Sequence, residues 1–178
     1  MKFREVLNLV ESDIRLYSHG GGKRSMIGNI LFNASLQLVI LYRIAHYFQH
    51  KRKSALAKIC EWLQIILIGC YINSKAEIGR NFKIAHPIGI VIGDGVKIGN
   101  NVTIWQNVTI GSSGRVEELS SYPIIEDNVK IFANAVVVGG VKIGRNSVIG
   151  ALSFINKDVP ADSVALTDRI FQRKQERQ

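Results

Sequence analysis

The chain has 178 residues, is 47% hydrophobic and carries a net charge of +9. This length holds one good-sized domain or a repeat domain with a smaller appendage, and a mean hydropathy of +0.12 suits a well-buried protein. Residues 1–72 hold 10 Lys and Arg against 4 Asp and Glu. The basic residues are scattered and match no nucleic-acid-binding motif, so we exclude a nucleic-acid partner.

The N-terminal part of the sequence predicts helices. An apolar side at helical spacing predicts the first over residues 3–17, and glycines after His19 end it. We predict a second helix over residues 26–49 and a third that starts at the N-cap Ser54. Neither apolar run, Leu36–Tyr42 or Ile65–Ile72, has the roughly 20 residues that a membrane crossing needs.

Two interpretations of these helices stay open. They flank the basic cluster Lys51-Arg52-Lys53, and they either pack on each other and on a partner subunit or lie on a membrane face. Cys60 and Cys70 lack CxxC spacing, and the first five residues are charged without an apolar signal region. We therefore expect two packing thiols and a cytoplasmic protein, with peripheral membrane contact as the alternative.

From Ile72 onward, aliphatic residues recur every six positions. The repeat positions are Ile72, Ile78, Ile84, Ile92, Ile98, Ile104, Ile110, Ile125, Ile131, Val137, Ile143, Ile149 and Ile155. This period fits neither an α-helix nor a flat strand, and it predicts a triangular coil of short parallel strands. Glycine often follows the repeat position, and we expect it to allow the tight corner.

We predict three parts: a helical region over 1–71, the coil over 72–160, and a charged tail over 161–178 that is helical or frayed. The coil departs from its period twice. Residues 85–89 add two positions, and residues 112–124 form a longer loop that contains Glu117 and Glu118. Loops on a rigid scaffold are where chemistry tends to sit. His86 is the only coil histidine, and it is either a general base or a corner residue with a satisfied hydrogen bond.

Four motifs resemble the serine acetyltransferases, which belong to the hexapeptide-repeat acyltransferases. They are residues 85–93 (AHPIGIVIG), residues 106–111 (QNVTIG), the end of the loop at residues 122–125 (YPII), and residues 42–46 (YRIAH). The resemblance implies an all-β left-handed parallel β-helix after a small α-helical region. It also implies a homotrimer whose helical region pairs trimers into a dimer of trimers. Acetyl-CoA is the implied co-substrate, bound in a groove between neighbouring coils.

The same resemblance implies residue roles. His86 matches the catalytic base, which lets the acceptor hydroxyl attack the thioester directly. The implied acetyl-CoA contacts are Gly111, Ser112, Ala133 and Ala151. For the CoA phosphates, the candidates are basic residues such as Lys142, Arg145 or the arginines of the tail. No metal site is expected.

At four positions the sequence departs from the family pattern. Two aspartates and an Arg-His pair that hold the amino acid are replaced by Ala85, Tyr71, Ser121 and Tyr122. We therefore expect Tyr71 and Tyr122 to contact a different acceptor. This pattern resembles the capsule and exopolysaccharide branch of the family, so we predict acetyl transfer to a sugar hydroxyl in surface polysaccharide biosynthesis.

Three alternatives compete with this prediction. The first is serine O-acetyl transfer for cysteine biosynthesis, and the second is a non-catalytic β-helix scaffold. The third, a zinc-dependent carbonic anhydrase on the same fold, needs about three histidines around one metal, whereas the coil has one.

Overall fold

A computed structural model of the protein describes residues 2–18, 22–114, 121–167 and 169–172, with helices in the first half of the chain and short strands in the second. The helices are α1 (Phe3–Tyr17), α2 (Lys23–Phe32), α3 (Ala34–His50) and α4 (Ser54–Ile68). The strands are β1 (Tyr71–Ile72), β2 (Glu77–Ile78), β3 (Lys83–Ile84), β4 (Val91–Ile92), β5 (Lys97–Ile98), β6 (Thr103–Ile104), β7 (Thr109–Gly111), β8 (Ile124–Ile125), β9 (Lys130–Ile131), β10 (Val136–Val138), β11 (Lys142–Ile143), β12 (Val148–Ile149), β13 (Phe154–Ile155), β14 (Ser163–Leu166) and β15 (Arg169–Gln172).

The strands form a triangular coil. Sheet A has the order β1-β4-β7-β10-β13, sheet B the order β11-β8-β5-β2, and sheet C the order β15-β14-β12-β9-β6-β3. Because β1 to β13 enter the three sheets in rotation and pair in parallel, three successive strands make one turn of a parallel β-helix. Every predicted repeat position is buried along its axis, at no more than 6% exposure.

The structure corrects the predicted role of glycine at the corners. Asparagine takes the left-handed conformation there, with positive φ at Asn81, Asn101, Asn107, Asn128, Asn134 and Asn146. Gly79 lies where a Cβ would come within 2.6 Å of Gly99 O on the next coil. Glycine therefore lets the main chains of successive coils approach each other, while the asparagines turn the corners.

The helices and the tail differ from the predictions in three places. The predicted second helix is two helices, because Asn33 leaves the helical conformation and its side chain caps α3 by accepting from Leu36 N–H at 3.1 Å. The N-cap of α4 is Lys53 and not Ser54. The coil continues beyond residue 160, since β14 pairs with β12 and β15 folds back antiparallel onto β14, so the tail is neither helical nor frayed over these strands.

Among the described residues, no single helix has the length and apolar composition needed to cross a membrane. The pair Ser25–Phe32 and Ala34–His50 meets those criteria jointly, with a bend of 79° between its halves. The second half of this pair is α3, whose apolar residues Leu36, Leu38 and Val39 are fully buried in the protein.

The helices close one end of the coil. A first coil would otherwise leave main-chain groups unpaired at its open edge. The α3 motif at residues 42–46 supplies partners, because Tyr42 Oη donates to Ala76 O at 2.7 Å. His46 Nδ1 lies 2.8 Å from Ser74 O, and since a carbonyl only accepts, Nδ1 carries the proton.

A buried ion pair joins α1 to the same edge. Arg43 Nε donates to Asp13 Oδ2 at 3.0 Å, and both side chains are 1% exposed or less. The guanidinium also binds two carbonyls at the end of β2, and Asp13 accepts from Phe82 N–H at 3.1 Å. Tyr17 Oη accepts from Ile84 N–H at 2.6 Å, two residues before His86. The helical region therefore orders the main chain that leads into the candidate base.

Helix α4 completes this cap with two polar side chains. Gln64 Oε1 accepts from Ile72 N–H at 2.8 Å, and Glu61 Oε1 accepts from Ser74 N–H at 2.8 Å. Both side chains are buried, so these two polar residues of α4 point into the protein.

Candidate active site

His86 lies at the corner where the chain passes from sheet C to sheet A. The register of β3, β6, β9 and β12 stacks four residues there, two positions after the buried isoleucines. This column, which we call the His86 corner, consists of His86, Gln106, Ala133 and Ala151. Because successive coils are about 4.8 Å apart, Ala151 lies roughly 14 Å from His86 along the column.

The His86 ring is open to solvent. Among the described residues, the ring makes no hydrogen bond or ion pair. The alternative of a corner histidine with a satisfied hydrogen bond is therefore not supported by this part of the chain. The turn behind it is tightly built: Ile88 N–H donates to His86 O at 3.0 Å, and Gly89 has φ +64°. A Cβ on Gly89 would overlap Asn107 Oδ1. The break in the repeat thus presents the imidazole outward on a constrained loop.

Two aromatic residues that the sequence analysis did not single out lie beside this corner. The rings of Trp105 and Phe132 stack with centroids 4.2 Å apart, at 17° to each other. They occupy the sheet C column that begins with Ala85, next to His86. The signal was present in the sequence, since each directly follows an aliphatic repeat position and therefore points outward from the same sheet.

Tyr122 lies at a different corner, between sheets A and B. Its ring rests on the turn Gly93-Asp94-Gly95, where a Cβ on either glycine would crowd or overlap the ring. Its hydroxyl bonds to Asp94, and this hydrogen bond raises the pKa of Tyr122. Because Asp94 also faces Lys75 at 4.0 Å, it is engaged away from His86 and does not orient the imidazole within one chain.

Gly111 and Ser112 also lie at the Tyr122 corner, where β7 ends and the long loop begins. The next residue, Ser113, lines a cavity of about 420 Å³ together with Gly140, Lys157 and others. Its size falls within the range of small-molecule sites. Glu117 and Glu118 of the loop lie outside the described residues.

The remaining predicted site residues lie on sheet faces. Tyr71 is half-buried on sheet A, in register with Val91, and its hydroxyl accepts from Asn73 Nδ2 at 2.8 Å. Burial raises the pKa of Tyr71. Lys142 lies on sheet B, where its ammonium bonds to Glu126 at 2.7 Å, which raises the pKa of Lys142. The structure therefore does not bring Lys142 to the His86 corner.

Two repeat families match the coil. "Bacterial transferase hexapeptide (six repeats)" matches residues 122–157, and "Hexapeptide repeat of succinyl-transferase" matches residues 78–106. A serine acetyltransferase of Bacillus pumilus is 35% identical over 89% of this chain and 73% of its own length. One from Staphylococcus aureus is 35% identical over 90% of this chain and 76% of its own. The chain belongs to the serine acetyltransferase family.

The fold of the chain closely resembles the solved structure of soybean serine acetyltransferase complexed with serine. Its TM-score is 0.84 at 27% identity, over 94% of this chain and 69% of the soybean chain. These comparisons confirm the predicted left-handed parallel β-helix after N-terminal helices, and they identify the chain as an acetyl-CoA-dependent acyltransferase. The alternative of a non-catalytic scaffold is thereby excluded.

The prediction of a sugar O-acetyltransferase in polysaccharide biosynthesis is wrong. The relatives reported at 30–38% identity over most of the chain are serine acetyltransferases, and so is the solved soybean structure. They support the alternative of serine O-acetyl transfer for cysteine biosynthesis. The absent charges at Ala85 and Tyr122 were therefore not a sufficient basis for predicting a sugar acceptor.

Proposed function

We propose that this chain transfers an acetyl group from acetyl-CoA to the side-chain hydroxyl of serine. The observation that supports this most is the whole-chain similarity to serine acetyltransferases, which extends across the motif that presents His86. The first test is thiol release from acetyl-CoA with L-serine as acceptor, and with L-alanine, which lacks the hydroxyl, as control. Release with both amino acids alike, or with neither, would refute the proposal.

The reaction needs one proton acceptor at the hydroxyl. His86 takes the serine proton while the serine oxygen attacks the thioester carbonyl carbon. The carbon–sulfur bond then breaks, and the CoA sulfur leaves with the proton that His86 returns. A positioned general base contributes roughly 10²–10⁴-fold, so we expect His86→Ala to lower kcat by about that factor.

The residues present fit acetyl-CoA in two places. At the His86 corner, Ala133 and Ala151 are small enough for the pantetheine arm to lie close to the coil. Gln106 Oε1, between His86 and Ala133, is buried without a hydrogen-bond partner among the described residues, and we assign it to an amide N–H of that arm. At the Tyr122 corner, Gly111 and Ser112 lead into Ser113, which lines the cavity where Lys157, beside Asp158, offers a cation to phosphate.

These two places lie at opposite ends of sheet A. A side of the coil takes about six residues at roughly 3.3 Å each, so the corners are on the order of 15–20 Å apart. A serine bound at His86 cannot reach Ser121 or Tyr122 of the same chain. We therefore infer a trimer in which the His86 corner of one subunit faces the Tyr122 corner of the next, and a dimer of trimers stays a prediction.

Mixing two inactive variants tests this arrangement. His86→Ala removes the base, and Ser112→Trp fills the groove at the other corner. If each site uses both corners from different subunits, co-refolding the two variants in equal amounts restores about a quarter of wild-type activity. No recovery in mixed trimers would refute the shared site while leaving serine acetyl transfer itself untouched.

We expect weak binding of serine. The uncharged Ala85 and Ser121 replace charged partners that the family pattern provides for the amino acid, and a hydrogen bond to a charged group typically contributes about 1.5–3 kcal/mol. The loss of two such bonds raises KM on the order of 10²-fold or more unless the neighbouring subunit supplies replacements. We expect the Trp105–Phe132 stack, which lies beside His86, to form an apolar wall of the acceptor site. A cytoplasmic location stays a prediction.

A further inference from the structure

Helix α4 is apolar on the side where a surface helix is normally polar. The side that packs on the protein carries Ala57, Cys60, Glu61 and Gln64. Because successive residues of a helix are about 100° apart, the opposite side carries Ala55, Ile59, Trp62 and Ile66. We call these four residues the α4 outer face. Ile59, Trp62 and Ile66 are 52%, 57% and 60% exposed.

Neighbouring residues widen this surface. Leu56, Ile65 and Leu67 flank the α4 outer face and are 40%, 48% and 68% exposed. An exposed apolar patch of this kind marks an interaction site. Glu61 and Gln64 bond to the coil cap, so the exposed polar side chains of α4 are Ser54, in its first turn, and Lys58, which is 70% exposed.

The charge around the patch has one sign. Residues 22–72 contain 7 Lys and Arg but only one acidic residue, Glu61. That carboxylate is 4% exposed and bonds to Lys58 Nζ at 2.9 Å. Lys51, Arg52 and Lys53 are exposed at the start of α4. The apolar patch is therefore bordered by positive charge, with no exposed acid among the described residues of this segment.

This combination favours an anionic lipid surface over a second copy of the chain. A second copy docked on the same face would bring like charges together, whereas anionic headgroups attract Lys and Arg beside the patch. Trp is also enriched where a membrane meets water. We propose that the α4 outer face binds the surface of an anionic bilayer, with α4 lying in the headgroup plane. The 15 residues of α4 are too few to cross the bilayer.

Vesicle flotation with the full chain tests the proposal. We expect the protein to float with vesicles of phosphatidylcholine containing about one third phosphatidylglycerol, to remain unbound with phosphatidylcholine alone, and to dissociate as salt is raised. The chain has 2 tryptophans, so Trp105→Phe leaves Trp62 as the sole reporter. Its emission should shift to the blue only when anionic vesicles are added.

Matched variants locate the contact. Ile59→Ser/Trp62→Ser should weaken vesicle binding on the order of 100-fold, because two large apolar side chains are lost. Lys51→Gln/Arg52→Gln/Lys53→Gln should weaken it by a similar factor at low salt. The control Leu152→Ser/Phe154→Ser removes two side chains on the coil that are 74% and 52% exposed, and it should bind like the wild type.

Two results would overturn the proposal. One is equal flotation of Ile59→Ser/Trp62→Ser and the coil control. The other is absence of vesicle binding together with a smaller assembly of the α4 variant in light scattering, which would assign the α4 outer face to another copy of the chain. Circular dichroism confirms that each variant is folded.

Discussion

The buried pair between Asp13 and Arg43 makes the most direct prediction about how the helical cap holds the coil. Asp13 is fully buried, accepts from Arg43 and from Phe82 N–H, and is the only acid beside that guanidinium among the described residues. Burial raises the pKa of Asp13, and Arg43 opposes the rise. Asp13→Ala therefore leaves a buried cation without its anion and a buried main-chain N–H without its acceptor.

Breaking a buried pair by removing one partner typically costs about 3–5 kcal/mol. For a chain of this size each kcal/mol shifts Tm by roughly 2–4 °C, so we expect Asp13→Ala to lower Tm by about 6–20 °C. Glu11→Ala in the same helix is the matched control. It breaks the pair with Arg15, whose side chains are 58% and 69% exposed, and an exposed pair contributes about 0.5 kcal/mol or less.

The assay is thermal and urea unfolding followed by circular dichroism, which give Tm and the free energy of unfolding. Both are run at one fixed chain concentration, because an oligomer's stability depends on concentration. Asp13→Asn keeps an acceptor for Phe82 N–H while losing the charge, so its loss should lie between those of Glu11→Ala and Asp13→Ala. If Asp13→Ala lost less than about 1 kcal/mol, the ion pair would not be what fastens α1 to the coil.

Three further perturbations follow from the site and the cap. Burial lowers the pKa of His46, so just below the ordinary pKa of histidine the unfolded chain binds more protons than the folded chain. The free energy of unfolding should therefore fall as pH drops below about 6.5. A His46→Gln variant with the same pH slope as the wild type would contradict this. Gly89→Ala should lower the free energy of unfolding by about 1–3 kcal/mol and should also lower kcat, because φ at this position is +64° and Asn107 fills the space of a Cβ. The control Gly28→Ala should not destabilise the protein, because a Cβ there meets nothing within 4 Å. In a double-mutant cycle, Trp105→Ala and Phe132→Ala should couple by about 0.5–1.5 kcal/mol, and strict additivity would show that the stack contributes nothing of its own.

The coil was predictable from sequence because its signal is repeated and local. Each turn buries an aliphatic residue such as Ile92 or Ile131 at the same phase, so every repeat reports the same geometry independently. The glycine assignment failed for a physical reason. Glycine relieves two different constraints, positive φ and close main-chain approach, and sequence does not distinguish them. The asparagines that turn the corners were the missed signal.

The cap was less predictable because its contacts are long-range. Tyr17 and Ile84 are separated by 67 positions, and nothing in either segment alone names the other as its partner. The break at Asn33 was missed because the apolar periodicity continues across it. The tail strand β14 was missed because the repeat loses its aliphatic phase after Ile155, although the register with β12 persists.

In the candidate site, a residue that is present predicts function better than the absence of an expected residue does. His86 was identified from what its position contains, and the structure presents its ring at an exposed corner. The acceptor was inferred from charges that Ala85 and Tyr122 lack, and that inference failed against whole-chain similarity. In the trimer that we propose, two subunits form the groove that takes the acceptor, so Ala85 and Tyr122 of one chain are not its whole lining. Charged side chains of the neighbouring subunit then complete the acceptor site. Which acceptor binds therefore depends on the groove between two subunits and not on the residues of one chain alone.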